Sequence, residues 1–277
     1  MKPAPRTVVR PVAPVVSTRR LFATLLRPLS ADAVCDIGSM DGSDALRFRR
    51  ECPGATVIAF EANPKNFERM RNHPLLDAAA IRREPLAVSD TDGSADFFVV
   101  RMYSPEAHAR RGMSSLYQRR EVDQLEEVVR VKTTRLDTYL AQHAPHATRS
   151  ALWIDVEGKA FEVISGAGDA LAKVQLLHVE VETTPLIADV QRTYSDVYAL
   201  LESSGFREIA TDYPVRGSQF NTLWMREPQP KAVLRAVRRG LLRARLRRCV
   251  TNLVYHRLPR RIRAYLAGRF GVRGSIP

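Results

Sequence analysis

The chain has 277 residues and a formal net charge of +13 at pH 7, enough length for one sizeable α/β domain with extensions. The charge is uneven: residues 226–277 carry +14 and residues 1–30 carry +6, which leaves −7 on residues 31–225, so the basic character belongs to the two ends. Cys35, Cys52 and Cys249 show neither a C-x-x-C pair nor zinc spacing, no run reaches the ~20 apolar residues of a membrane span, and the N-terminus is interrupted by prolines and arginines, so a disulfide framework, a structural zinc, a membrane span and a signal peptide are all disfavoured. A cytoplasmic protein is expected, at most peripheral at the inner face of the membrane.

In chain order, the first predicted strand, 33–36, is apolar and runs into a turn punctuated by Gly38 and Gly42. A helix follows over 44–51, then a strand over 56–60 that ends at Glu61, a helix over 64–72, and a strand over 81–88. Residues 93–134 break the alternation with short strands at 96–100 and 128–134 around a polar, arginine-containing loop. That stretch reads as an antiparallel excursion over the sheet edge and a candidate substrate lid. Alternation resumes with strands at 151–156, 176–182, 206–211 and 219–225, and helices at 159–172 and 195–204, the last stopped by Gly205. The order implies an α/β fold, a Rossmann-like doubly wound sheet of seven strands. The expected organisation is a basic N-terminal arm over 1–30, a cofactor domain over 31–225 with its insertion near 93–134, and an arginine-rich amphipathic tail over 226–277.

The turn after the first strand is the chemical signal. Its pattern is D-x-G-x-x-x-G, with Asp36, Gly38 and Gly42. Glycines there let the backbone approach a nucleotide, and an acid ending the neighbouring strand, Glu61, suits ribose hydroxyls. The G-x-G-x-x-G of dinucleotide enzymes is missing, and Asp36 sits where a diphosphate would be repelled. S-adenosylmethionine fits better, because it has no phosphate and carries an ammonium and a sulfonium that favour carboxylates.

Together with Ile154-Asp155-Val156-Glu157-Gly158, these segments resemble the FkbM-type methyltransferases, a branch of the S-adenosylmethionine-dependent Rossmann-like enzymes. The resemblance spans roughly 33–225. Asp36-Ile37-Gly38 with Gly42 is similar to the family's D-I-G-x-x-x-G, and Phe60-Glu61-Ala62-Asn63-Pro64 to its F-E-P-N-P with Ala62 in place of proline. Leu86-Ala87-Val88-Ser89-Asp90, Ser114-Ser115-Leu116 and Thr134-Arg135-Leu136-Asp137 match three further segments. Asp155-Val156-Glu157-Gly158, followed by Glu162-Val163-Ile164 and Gly166-Ala167, matches the D-V-E-G signature. Two positions depart from the pattern: Trp153 stands where the family has a lysine, and Ser39-Met40 where it has Ala-Asn.

The resemblance implies a class I methyltransferase fold, S-adenosylmethionine as cofactor, and a hydroxyl acceptor on a sugar, glycan precursor or secondary metabolite. Glu61 would accept from the ribose hydroxyls, Asp36 and Gly38 would line the methionine end, and Asp90 would take the adenine amine, with a turn role as its alternative. Asp155, ending the fourth strand, is a candidate general base, and Glu157 a second, unless it caps the following helix. His178, Glu180 and Glu182 alternate onto one face nearby. A substrate-binding or helix-pairing role is favoured there over a divalent metal, and no metal ligand is assigned.

In the tail, Leu234, Val237 and Leu241 lie at helical spacing among arginines, with Leu242, Leu246 and Val250 as a second row. Basic amphipathic helices bind anionic membrane surfaces or polyanions, or pack on their own domain. The competing functions are therefore a polyanion- or membrane-binding protein on a degenerate methyltransferase scaffold, and an RNA methyltransferase docked by the tail. Sparse aromatics weaken the nucleic-acid reading.

Overall fold

The computed structural model describes residues 13–100, 112–119, 125–188, 191–212 and 218–257. It opens with a helix, α1 (Thr18–Leu29), whose Leu21, Phe22, Leu25, Leu26 and Leu29 are all buried. The described part of the expected N-terminal arm is thus core, not arm. The arginines that suggested otherwise, Arg19, Arg20 and Arg27, sit on the helix's exposed side, since a 3.6-residue period separates them from the leucines.

The strands are β1 (Ala33–Ile37), β2 (Thr56–Phe60), β3 (Arg82–Glu84), β4 (Leu86–Ser89), β5 (Gly93–Val100), β6 (Leu125–Arg135), β7 (Ser150–Ile154), β8 (Val174–Glu182), β9 (Phe206–Thr211) and β10 (Gln219–Arg226). Seven of them form one sheet in the order β3-β2-β1-β7-β8-β10-β9, parallel except for β10, which runs antiparallel to both neighbours. The chain winds outward from β1 to β3 and returns to β7 on the other side of β1. The β1/β7 boundary is therefore the switch point where ligands bind in such sheets.

The third predicted strand divides at Pro85, which has no N–H to donate to a ladder. Arg82–Glu84 pairs with β2, whereas Leu86–Ser89 leaves for a second, three-stranded sheet of order β4-β6-β5. Two of its three strands belong to the insertion, with β5 and β6 antiparallel as expected. Most of the loop between them lies outside the described residues, but residues 112–119 return to the domain, where Ser115 bridges Phe98.

The remaining helices are α2 (Ser43–Glu51), α3 (Pro64–Arg71), α4 (Pro74–Ala78), α5 (Leu136–His143), α6 (Ala160–Ser165), α7 (Tyr194–Ser203) and α8 (Lys231–Arg257). The helix expected over 159–172 stops early. Gly166 ends it and Gly168, with φ +42, starts a separate 3₁₀ turn, Gly168–Lys173.

Strand alternation sends side chains to two cores. Val34, Ala151, Trp153 and Leu176 face α1, α2 and α8, and Cys35, Ile37, Leu152 and Ile154 face α5, α6 and α7. Val233 and Val237 of α8 belong to the first core, so the described part of the basic tail is joined to the domain along one face.

Candidate active site

The site is built where β1 and β7 end side by side. Gly38 has φ +86, and a Cβ there would lie 1.8 Å from the Asp155 carbonyl oxygen, so only glycine fits. The two strand ends are tied by the Asp155 amide donating to the Ile37 carbonyl at 2.9 Å. The Gly38 and Ser39 amides donate across to the Phe60 carbonyl at 3.0 and 2.9 Å, which holds the turn against β2.

Glu61, just past β2, fastens this turn from below. Its two oxygens accept from the Met40 and Asn63 amides, each at 2.7 Å. Burial pushes its carboxyl up to about 7, with those backbone donors opposing the shift.

A cleft opens above, walled by Ile37, Gly38, Phe60 and Glu61 on one side, by Leu86, Ala87, Val88 and Phe97 on another, and by Asp155 and Lys159 toward β7. Ser114 and Leu116 of the insertion complete the wall. Few polar groups stand among many apolar ones in this wall, as small-ligand clefts require.

Not every residue expected in this wall is there. Asp36 points to the opposite core, where Ser39 Oγ donates to its Oδ2 at 2.6 Å; burial drives it up to about 8. It braces the turn from behind. Gly42, with φ +78, precedes α2, and a Cβ on it would meet Leu76 at 2.7 Å, so its role is also in shaping the turn. Asp90 is exposed and outside the wall: its carboxylate accepts from Ser89 Oγ and its carbonyl from Arg135. Gly166 packs against the Ser89 carbonyl and holds this corner of the chain, which leaves Asp90 in its turn role. Ala87 and Val88 of the same segment do line the cleft.

Toward β8 the cleft meets a dense acidic group. Asp155 and Glu180 share a hydrogen bond between their carboxyl groups. Burial raises both, Glu180 well above the carboxylate range, and the charges of Asp155, Glu157 and Glu182 raise it further. Glu182 is pushed by burial up to about 7.

Gln219 of β10 sends its Nε2 into this group, 2.8 Å from Glu180 Oε2 and 3.4 Å from Glu182 Oε1. Glu157, with φ +50, pairs with Arg119 of the insertion at 2.9 Å and does not cap α6. Ser115 Oγ donates to the Glu157 carbonyl at 2.7 Å, and Tyr117 donates to Glu162 at 2.7 Å. Segment 112–119 is thus fastened over the strand end that carries Asp155.

One oxygen each of Asp155, Glu157 and Glu180 lie within 4.8 Å of one another, close enough for one small cation to span. His178 is not part of this group. It lies on the α1 side, stacked on Trp153 with ring centroids 3.5 Å apart and bonded to Thr18 at 3.0 Å. Trp153 shares that face with Phe22 and Phe48, so the position where the family pattern has lysine points away from the cleft. Arg119 and Gln219 escaped the sequence reading, one in a polar loop and the other opening a strand; neither position carries a local signal.

Residues 36–208 match the model of the methyltransferase FkbM domain. The chain belongs to the FkbM methyltransferase family. It is an S-adenosylmethionine-dependent methyltransferase. The chain is 30% identical to 31-O-demethyl-FK506 methyltransferase FkbM of Streptomyces tacrolimicus, over 69% of this chain and 77% of that protein. It is 28% identical to 2-O-methyltransferase NoeI of Sinorhizobium fredii, over 62% of this chain and 71% of that protein. Among solved structures, an O-methyltransferase from Bacillus cereus in complex with SAH overlaps at TM-score 0.41 and 14% identity, over 78% of this chain and 84% of that one, too loosely to bear on the site.

The cleft suits the family's cofactor. The Gly38 turn leaves no Cβ in the way, and Glu61 retains acceptor capacity for a hydroxyl donor beside its two backbone contacts and its bond to the Asn66 side chain. Carboxylates rather than phosphate-binding amides face a donor that is cationic.

Proposed function

We propose that this FkbM-family methyltransferase acts on a hydroxyl oxygen of a sugar, glycan precursor or secondary metabolite, and that Asp155 takes the hydroxyl proton. The observation that carries this reading is the place of Asp155: the residue lines the cleft beside the β1 turn, and its carboxyl is hydrogen-bonded to Glu180. The names of both relatives specify transfer to oxygen, on a 2-position and a 31-position.

Glu61 would hold the ribose end of S-adenosylmethionine, the Gly38 turn its amino-acid end, and Ala87 and Val88 would flank its base. When bound, the cofactor supplies an electrophilic methyl group on a sulfonium. The protein's part is alignment and proton removal, since a direct displacement needs the acceptor oxygen held in line. A carboxylate with a raised pKa is a stronger base than an ordinary one, and general bases contribute about 10²–10⁴ in rate. Asp155 fills that role at its free carboxylate oxygen, while neutral Glu180 holds the other and keeps the group aimed at the cleft. Glu157, neutralised by Arg119, would orient a second acceptor hydroxyl. A carboxylate-rich wall matches hydroxyl donors, and the proposal assigns the space among these acids to the acceptor and not to a divalent cation. A degenerate scaffold does not fit a wall that keeps both Gly38 and Glu61.

The test is methyl transfer from S-adenosylmethionine to a panel of saccharides and polyols, with the modified atom identified by NMR. Product methylated on oxygen supports the reading; transfer confined to nitrogen or to RNA overturns it.

A further inference from the structure

α8 has two faces of opposite character. Val233 and Val237 are buried in the core under α1, with Leu234, Ala236, Leu241 and Ala244 packed beside them. Gly240 marks the closest approach: a Cβ there would come within 2.6 Å of Leu21 Cδ1.

At 100° per residue, the opposite arc carries Lys231, Arg235, Arg238, Arg239, Leu242, Arg243 and Leu246. All are exposed. Leu242 and Leu246 fall near the centre of the arc with arginines on both flanks, and they are 58% and 56% exposed. Among the described residues, none of the four arginines pairs with an acid. Among the described residues, these two exposed leucines with arginines on both flanks take no part in the core packing, which α8 makes through its other face.

We propose that this arc is a docking face for an anionic lipid bilayer, with Leu242 and Leu246 entering the acyl boundary and the arginines engaging the headgroups. Charge complementarity selects the occupant: a surface of many negative charges is needed to match the row, and central leucines need an apolar layer beneath those charges. RNA supplies the first and not the second, and no aromatic stands on this arc to stack on a base. Arginine stems also suit the boundary, lying along apolar surface while the guanidinium stays at headgroup level. The core packing of α8 adds rigidity, so the arc is presented ready-formed on the catalytic domain. The reading is independent of which acceptor the enzyme methylates.

The experiment is flotation of the full chain with vesicles of phosphatidylcholine alone or mixed with phosphatidylglycerol. Binding is expected only to the mixed vesicles, with release as salt rises from about 0.1 M to about 0.5 M. The double variant Leu242→Ser, Leu246→Ser should bind them at least about tenfold more weakly, while its S-adenosylmethionine affinity and circular dichroism stay unchanged. Changing Arg235 and Arg239 to Glu should also abolish flotation. Absence of binding to mixed vesicles, or binding that the leucine variant retains in full, would overturn the proposal. So would RNA binding tighter than vesicle binding and indifferent to the leucines.

Discussion

Asp155 and Glu180, at the carboxyl ends of adjacent parallel strands, are joined carboxyl to carboxyl, with Gln219 donating to Glu180 from the antiparallel strand beyond. Two acids in contact divide one proton between them, and the pair titrates as a unit. In the proposed assignment Glu180, raised well above the carboxylate range, keeps the proton, and Asp155 serves as the base.

The first prediction follows from that division. Asp155→Asn should lower turnover by about 10²–10⁴ and leave S-adenosylmethionine affinity nearly intact. In Glu180→Gln the neutral amide can still donate to Asp155 as the protonated Glu180 would, so turnover should be largely kept and the acid limb of the rate profile should stay in place. A change in cofactor affinity alone, with saturated turnover preserved, would place Asp155 in the donor pocket instead.

Glu61 has a double task, which makes its substitution costly in two ways. Glu61→Ala should weaken S-adenosylmethionine binding at least about tenfold, and it also strips the Met40 and Asn63 amides of their acceptor, costing about 1–3 kcal/mol of stability. Glu61→Gln keeps an acceptor for one amide and should lose less stability. Calorimetry with the cofactor and thermal unfolding separate the two effects. Because the carboxyl ionises only near 7, affinity in the wild type should tighten as pH rises through that value.

Asp36 supplies a pH signature of the fold. Its folded-state carboxyl holds its proton up to about 8, whereas an unfolded one releases it near 4. The folded chain therefore binds more protons in between, and stability falls as pH rises through that window. Glu61 and Glu182, each raised to about 7, act in the same direction. The melting temperature should drop between pH 5.5 and 8.5. Asp36→Asn, which can still accept from Ser39, should flatten the drop by at least ~1 kcal/mol equivalent; an unchanged profile would show that Asp36 ionises normally.

The fourth prediction concerns α8. Val237→Ala should destabilise the whole domain by about 1–3 kcal/mol, because the side chain is 7% exposed in a shared core. Removing residues 231–277 should lower the melting temperature or render the domain insoluble. A truncated domain with unchanged melting would show that the helix contributes nothing to the core.

Much of the site was legible in the sequence because it depends on local chain geometry. A glycine that must sit against a neighbouring backbone, an acid just after a strand, and the alternation of strands with helices are all written in short segments, and Gly38, Glu61 and Asp155 stand together as their positions implied. Between the two roles open to Asp90, adenine contact and turn residue, local sequence could not choose, for the opposite reason. Whether a turn acid faces a cleft depends on what packs behind it, here Gly166 just past α6.

By itself, then, the sequence determined the α/β order, the cofactor turn and the family. Tertiary structure alone decided which face each charged or polar side chain occupies. Trp153 and His178 turn together toward α1, Glu180 turns toward Asp155, and Arg119 and Gln219 reach the acids from distant points of the chain. The same holds at the two basic ends, where charge suggested solvated arms. The leucines of α1 and the valines of α8 bury one face of each helix, because apolar area removed from water outweighs arginines that remain exposed on the other.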